Sequence, residues 1–212
     1  MKKILSTALV LVLVVALSIA GTVAYLQDDD TVINTFTVGN VEILLDEAPV
    51  EKDENGQYVA NTEVDRIQAN EYETLVPGQT VPKDPMVTNI GANAAWIRVD
   101  VTVTDYSVFA AVIPTDTDLT NYFGGFNAAN WTLVGAPVVD TTANTVTYSY
   151  YYNSKLVPGA NTGALFTSVT VPEGFTAEQF EALGDGFEIT LVAHAIQADG
   201  FGSAAEAFAK YV

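Results

Sequence analysis

Cysteine is absent from this 212-residue chain, histidine occurs once, at His194, and 8 lysines and arginines face 26 aspartates and glutamates. Without cysteine there is neither a disulfide scaffold nor a thiolate centre. With a single histidine the zinc-peptidase pattern is out of reach, because it needs two imidazoles one helical turn apart and a glutamate base. No Gly-x-Ser-x-Gly elbow accompanies His194 to supply a hydrolase nucleophile, so a hydrogen-bonding strand residue is the expected role. Acidic residues are too abundant for any pair of them to mark carboxylate catalysis. The formal charge of −18 sets up a field that repels nucleic acid and anionic lipid and opposes self-association unless cations or burial offset it.

The one long apolar run is at the start. Met1-Lys2-Lys3 is followed by Ile4 to Ala20, apolar apart from Ser6, Thr7 and Ser18. This is the basic n-region and h-region of a secretory signal, a little short for the roughly 20 residues of a spanning helix. Thr22 and Ala24 put small residues where a signal peptidase needs them, which predicts residues 1–24 as leader and cleavage between Ala24 and Tyr25. Ser18-Ile19-Ala20 is a weaker alternative site, and an uncleaved anchor lacks a basic stop-transfer flank. Losing Lys2 and Lys3 would take the charge from −18 to −20. Residues 25–212 then form a single domain, long enough to bury about 70% of the unfolded surface.

Past the leader, short alternating segments are separated by Gly, Pro, Asn and Asp, the pattern of a mainly β, antiparallel sandwich. Trp96 to Thr104 is the clearest strand, with Ile97, Val99, Val101 and Val103 on a core face and Arg98, Asp100, Thr102 and Thr104 on a wet one. Asn144–Tyr152 puts Val146, Tyr148, Tyr150 and Tyr152 on one face, and Phe187–Gln197 does the same with Phe187, Ile189, Leu191, Ala193 and Ala195. Leu165–Val171 and Trp131–Asp140, the latter broken by Gly135 and Pro137, are further strands. A bulge at Gly39 would bring Phe36 and Val38 onto one face with Val41, Ile43 and Leu45. Residues 105–130 look like an insertion holding a loop or short helix.

Two short peripheral helices are expected, one opened by the capping box Thr176-Ala177-Glu178-Gln179 and ending near Gly184, the other opened by Ser203. Asn55-Gly56 between polar flanks signals a type I′ hairpin. Glu51, Asp53, Asn55 and Gly56 loosely match the first half of a calcium loop, yet Thr62 stands where the bidentate glutamate belongs. A solvated hairpin tip is the expected role and no cofactor is expected, with calcium the one alternative such a tip could hold. Asp28-Asp29-Asp30 reads as a solvated segment that could keep a freed N-terminus extended until a partner receives the apolar residues after it.

Several stretches resemble one family. Gly21-Thr22-Val23-Ala24-Tyr25-Leu26, an acidic tract, and Asn34-Thr35-Phe36-Thr37-Val38-Gly39-Asn40-Val41 look like the start of TasA and camelysin (CalY) proteins. Pro77 to Pro85, Val87-Thr88-Asn89-Ile90-Gly91, Trp96 to Val99, Leu165 to Val169 and Ala195 to Phe201 continue the similarity. Leu26, Trp96 and His194 depart from residues common there. The resemblance implies a secreted cell-surface or biofilm-matrix protein with a jelly-roll sandwich. It also implies export through a SipW-type signal peptidase, and self-association or binding to related matrix proteins. In fibre-forming members a strand exposed by cleavage inserts into the next subunit, which carries over here to residues 31–38, with Phe36 and Val38 filling pockets and Ile33 joining them if the strand bends. A secreted metallopeptidase and a monomeric adhesion module are the competing expectations, and the metal-ligand inventory disfavours the first.

Overall fold

A computed structural model of the chain describes residues 40–112, 123–184 and 186–210. The expected leader and cleavage site at Ala24 and Tyr25, Gly39, and the expected donor residues Ile33, Phe36 and Val38 lie outside the described residues. The fold is mainly β, and every pairing between its strands is antiparallel.

The strands run in chain order as β1 (Ile43–Asp46), β2 (Val50–Lys52), β3 (Tyr58–Ala60), β4 (Thr80–Pro82), β5 (Met86–Asn89) and β6 (Ala95–Val103). They continue as β7 (Phe123–Gly124), β8 (Trp131–Leu133), β9 (Val138–Asp140), β10 (Thr145–Tyr152), β11 (Asn161–Ala164), β12 (Ser168–Thr170) and β13 (Ile189–Gln197). Three helices, α1 (Tyr106–Val112), α2 (Ala177–Ala182) and α3 (Ala204–Ala209), complete the described chain.

One layer is the sheet β13-β6-β10-β8, with β9 also on β10. The other is built from β1-β5-β11 and β4-β12-β7, which are two ends of one bent ladder. Lys83 N donates to Thr167 O at 3.1 Å and Leu165 N to Pro85 O at 2.9 Å, carrying the pairing of β4 with β12 across the corner into that of β5 with β11. Period-2 pleating points Ile97, Val99, Val101 and Val103 of β6 and Val146, Tyr148 and Tyr150 of β10 between the layers, where they meet Val81, Val87, Phe166 and Val169 in one buried core. Phe123 stacks on Phe166 with ring centroids 4.2 Å apart, which fastens short β7 to this core.

Several expectations need correction. The face of β6 opposite the core is not uniformly wet: Trp96 is buried there with Ala198, Ala204, Ala207 and Phe208, because α3 folds back over the sheet and stacks Phe208 on Tyr151 at 5.6 Å. Alternation along one strand cannot reveal that a distant helix covers its second face. Leu165–Val171 is not one strand, since Leu165 and Phe166 turn the corner between β11 and β12 and plug the core from there. Nor is the tip of the β2–β3 hairpin type I′. Gly56 N donates to Asp53 O at 2.9 Å and, of the tip residues, Gly56 alone has positive φ, +77°, which is a type I turn closed by a left-handed glycine. The capping box of α2 is formed from both sides by Thr176 and Gln179, and Ser203 caps α3.

A charged lock holds the 47–72 excursion against the body. Glu47, 2% exposed, takes Lys83 Nζ at 2.7 Å and Asn70 N at 2.9 Å. Beside it Arg66 bridges Asp46 at 2.6 Å and Asp84 at 2.9 Å. Burial, then the Glu47 and Asp84 charges, push the nearby Tyr72 phenol well above its ordinary value, so it remains a donor, to Pro82 O.

Candidate strand-acceptance edge

β13 is an edge strand over all nine of its residues, paired with β6 alone among the described strands. Its pairing fixes which backbone groups are spoken for. Thr104 N donates to Glu188 O at 3.1 Å and Ala198 N to Ala94 O at 2.8 Å. Narrow and wide pairs alternate in an antiparallel ladder, so the even-numbered residues 188 to 198 turn their amides and carbonyls toward β6. The odd-numbered Ile189, Leu191, Ala193, Ala195 and Gln197 turn theirs to the other side, where no described strand pairs with them.

The same odd residues up to Ala195 point side chains at the core, yet Ile189, Leu191, Ala193 and Ala195 are only partly buried, whereas their partners Val103, Val101, Val99 and Ile97 are 0–3% exposed. Strand β1 passes close to β13 but makes no ladder with it. Val41, Ile43 and Leu45 on that side are likewise partly buried against the core. The seam between β1 and β13 is thus lined by two incompletely covered apolar rows and one row of outward backbone groups. A strand edge with no partner among the described strands is a candidate template for strand addition.

The start of β1 is pinned at one end of the seam. Asn89, fully buried, donates from Nδ2 to Asn93 O and Leu156 O at 2.8 Å each and accepts Gly91 N at 3.0 Å. On the turn so shaped, Ala92 N donates to Asn40 O at 3.0 Å. A Cβ at Gly91 would lie 2.5 Å from Asn40 O and 2.6 Å from Glu42 N, so the close pass of the chain here requires glycine. Asn40 therefore sits at the end of the molecule where β13 finishes, since Ala94 holds Ala198.

His194 lies on the outer face of β13, with Nε2 3.0 Å from Asp100 Oδ2, which also accepts Arg98 Nη2 at 3.0 Å. Burial acts to raise the Asp100 pKa, but the His194 and Ser149 hydrogen bonds and the Arg98 charge together hold it below the ordinary carboxylate value. His194 and Arg98 both meet the carboxylate at Oδ2, an arrangement that orients side chains on a sheet surface and does not aim a base at a hydroxyl. The hairpin tip is self-contained: Asp53 Oδ1 accepts Asn55 N and Gln57 N at 2.8 Å each. Among the described residues no three His, Cys, Asp or Glu side chains converge as a metal would need, and no helix is long and apolar enough to cross a membrane.

Comparison with protein-family models, with curated proteins and with solved structures returns no match. The sequence raises the expectation of a donor segment at residues 31–38 but names no receiving edge. The signal for that edge is in Phe187–Gln197, whose mixture of large residues with Ala193 and Ala195 fits a row that leaves room for a neighbour.

Proposed function

We propose that the chain is a secreted structural protein of the cell surface or extracellular matrix that assembles when residues 31–38 of one copy add to β13 of another. The observation that carries this reading is the open, half-covered β13 edge. Its topology supports the finer description as a jelly roll. Setting aside the separate β2–β3 hairpin and merging the bent ladders leaves β1, β4/β5, β6, β7, β8/β9, β10, β11/β12 and β13, in layers ordered last-third-sixth-fifth and first-second-seventh-fourth. A jelly roll sets its first strand beside its last. Here β1 leans to β5 instead, and the place beside β13 is the one an added strand would take.

Chain reach favours addition between copies. Gly39 links Val38 to Asn40, so Val38 lies within about 7 Å of it at 3.3–3.6 Å per residue. Folding back on its own β13, the segment would start from the Ala198 end and could pair only in parallel. A second copy can supply it antiparallel, like every other pairing in the fold, and antiparallel pairs are somewhat the more stable. Seating Phe36 and Val38 contributes roughly 1.5–3 kcal/mol each before ordering and association costs. Two acidic subunits repel, so raised salt or calcium should promote assembly by screening.

The test uses the chain beginning at Tyr25, followed by light scattering and electron microscopy. Deleting Tyr25 to Asn34, or Phe36→Asp, should abolish assembly. Ala193→Pro should do so from the other side, because it removes an outward amide while leaving the β6 ladder intact. Variants that keep their circular dichroism and still polymerise like the parent would refute the reading.

A further inference from the structure

We infer that the uncovered outer face of the main sheet is a docking surface for a second copy of this chain, which packs on it sheet to sheet. The inference is independent of strand addition, because such a contact leaves the β13 edge of both copies free.

The pairing registers lay this face out row by row. Thr190, Thr102, Thr147 and Val138 stand side by side across β13, β6, β10 and β9, with Val192, Asp100 and Ser149 in the next row toward α3. Period-2 pleating turns all of them away from the core. On the far side of the threonine row, Thr104 lies beside Glu188, and Thr145 beside Asp140. The apolar cluster beneath α3 reaches the outer face only as far as Tyr151 and Ile196. Beyond it Thr102, Thr147, Ser149 and Val192 are partly exposed, and Val138 is 67% exposed.

Two properties fit this face to a copy of itself. The first is what its threonines offer. Thr102 and Thr147 bond hydroxyl to hydroxyl at 2.9 Å, and Thr190 Oγ1 donates to Glu188 Oε1 at 2.8 Å. With those hydroxyls occupied inside the face, their methyl groups and the side chains of Val138 and Val192 are left to make contacts. The second property is charge. Residues 51–73 alone hold seven carboxylates against Lys52 and Arg66, whereas the threonine row holds none. In the next row Asp100 is met by Arg98 Nη2 and His194 Nε2 at 3.0 Å each. Copies of a chain with a formal charge of −18 meet with least repulsion where charge is absent, and a cationic partner is drawn elsewhere. Sheets of equal twist pack face to face about 10 Å apart, and a helix about 10 Å across rests on its sheet at a similar height. A partner sheet therefore fits beside α3 rather than over it. Three rows by four strands offer roughly 400 Å² a copy, the scale of a weak, reversible contact that gains force where many copies are held side by side.

The absence of cysteine gives a clean test. Thr102→Cys, at the centre of the row, and Leu44→Cys, exposed on β1 of the other layer, are placed separately in the chain beginning at Tyr25 with Phe36→Asp, so that strand addition does not contribute. Mild oxidation should link the Thr102→Cys chain into dimers and leave the Leu44→Cys chain largely monomeric. In the Phe36→Asp chain without cysteine, Val138→Glu with Thr190→Glu should lower the dimer association constant about 10-fold or more in sedimentation equilibrium, because like charges then face each other across the contact. Both positions are exposed, and circular dichroism checks that the fold is kept. Linking at 102 no faster than at 44, an association constant unmoved by the double substitution, or no dimer at millimolar concentration would each overturn the contact and leave strand addition untouched. If the Phe36→Asp chain still polymerises and the double substitution stops it, the face contact stands and strand addition falls.

Discussion

Asp100 on β6 and His194 on β13 meet across the outer face of the main sheet, Oδ2 to Nε2 at 3.0 Å, and so tie the edge strand to its neighbour through side chains as well as backbone. Arg98 and Ser149 bond or attract the same carboxylate, and these contacts outweigh burial in keeping its pKa depressed.

The sign of the pH effect follows. A carboxyl whose folded pKa lies below its unfolded value of about 3.8 contributes stability that is complete above that value and is lost as pH falls through the folded one. Acid titration followed by circular dichroism should show this loss. Asp100→Asn should cost about 1–3 kcal/mol at neutral pH and flatten the acid limb. An unchanged acid limb would remove Asp100 as its source.

Lys83 should matter more than any exposed cation. Removing it by Lys83→Met leaves Glu47 charged in a site where its side chain is 3% exposed, a change expected to cost about 3–5 kcal/mol. Adding Glu47→Gln should recover part of that loss, since a neutral amide no longer needs the ammonium. Urea unfolding of both variants checks the order.

Gly91→Ala should loosen the N-terminal approach. The new Cβ would collide with backbone at Asn40 and Glu42, which cannot swing aside as a side-chain tip can, so about 1–3 kcal/mol of stability should be lost. Hydrogen exchange at Ile43–Asp46 should quicken more than exchange in β6.

Processing is expected to leave Tyr25 at the amino terminus, on the small residues Thr22 and Ala24 after the apolar run. N-terminal sequencing of secreted protein decides it. A first residue of Gly21, or retained Met1, would move the site.

No casein hydrolysis is expected from the chain, and none that changes with His194→Gln or a chelator. Chelator-sensitive cleavage lost in that variant would restore the peptidase alternative.

Period-2 alternation alone places Ile97, Val99, Val101 and Val103 on one face and Thr176 and Ser203 at helix starts, because pleating and capping are local. Scarcity did as much for chemistry: a chain with one histidine and no cysteine excludes whole mechanisms without any coordinates. What no window of sequence could contain is which edges stay open. That β1 pairs with β5 and, among the described strands, leaves β13 with β6 alone goes with Asn89 shaping a turn that only Gly91 lets the chain cross. That α3 returns to bury Trp96 depends on contacts among residues 96, 151, 198, 204 and 208. Burial, edge status and charge juxtaposition are properties of distant segments brought together, and only tertiary packing brings them there.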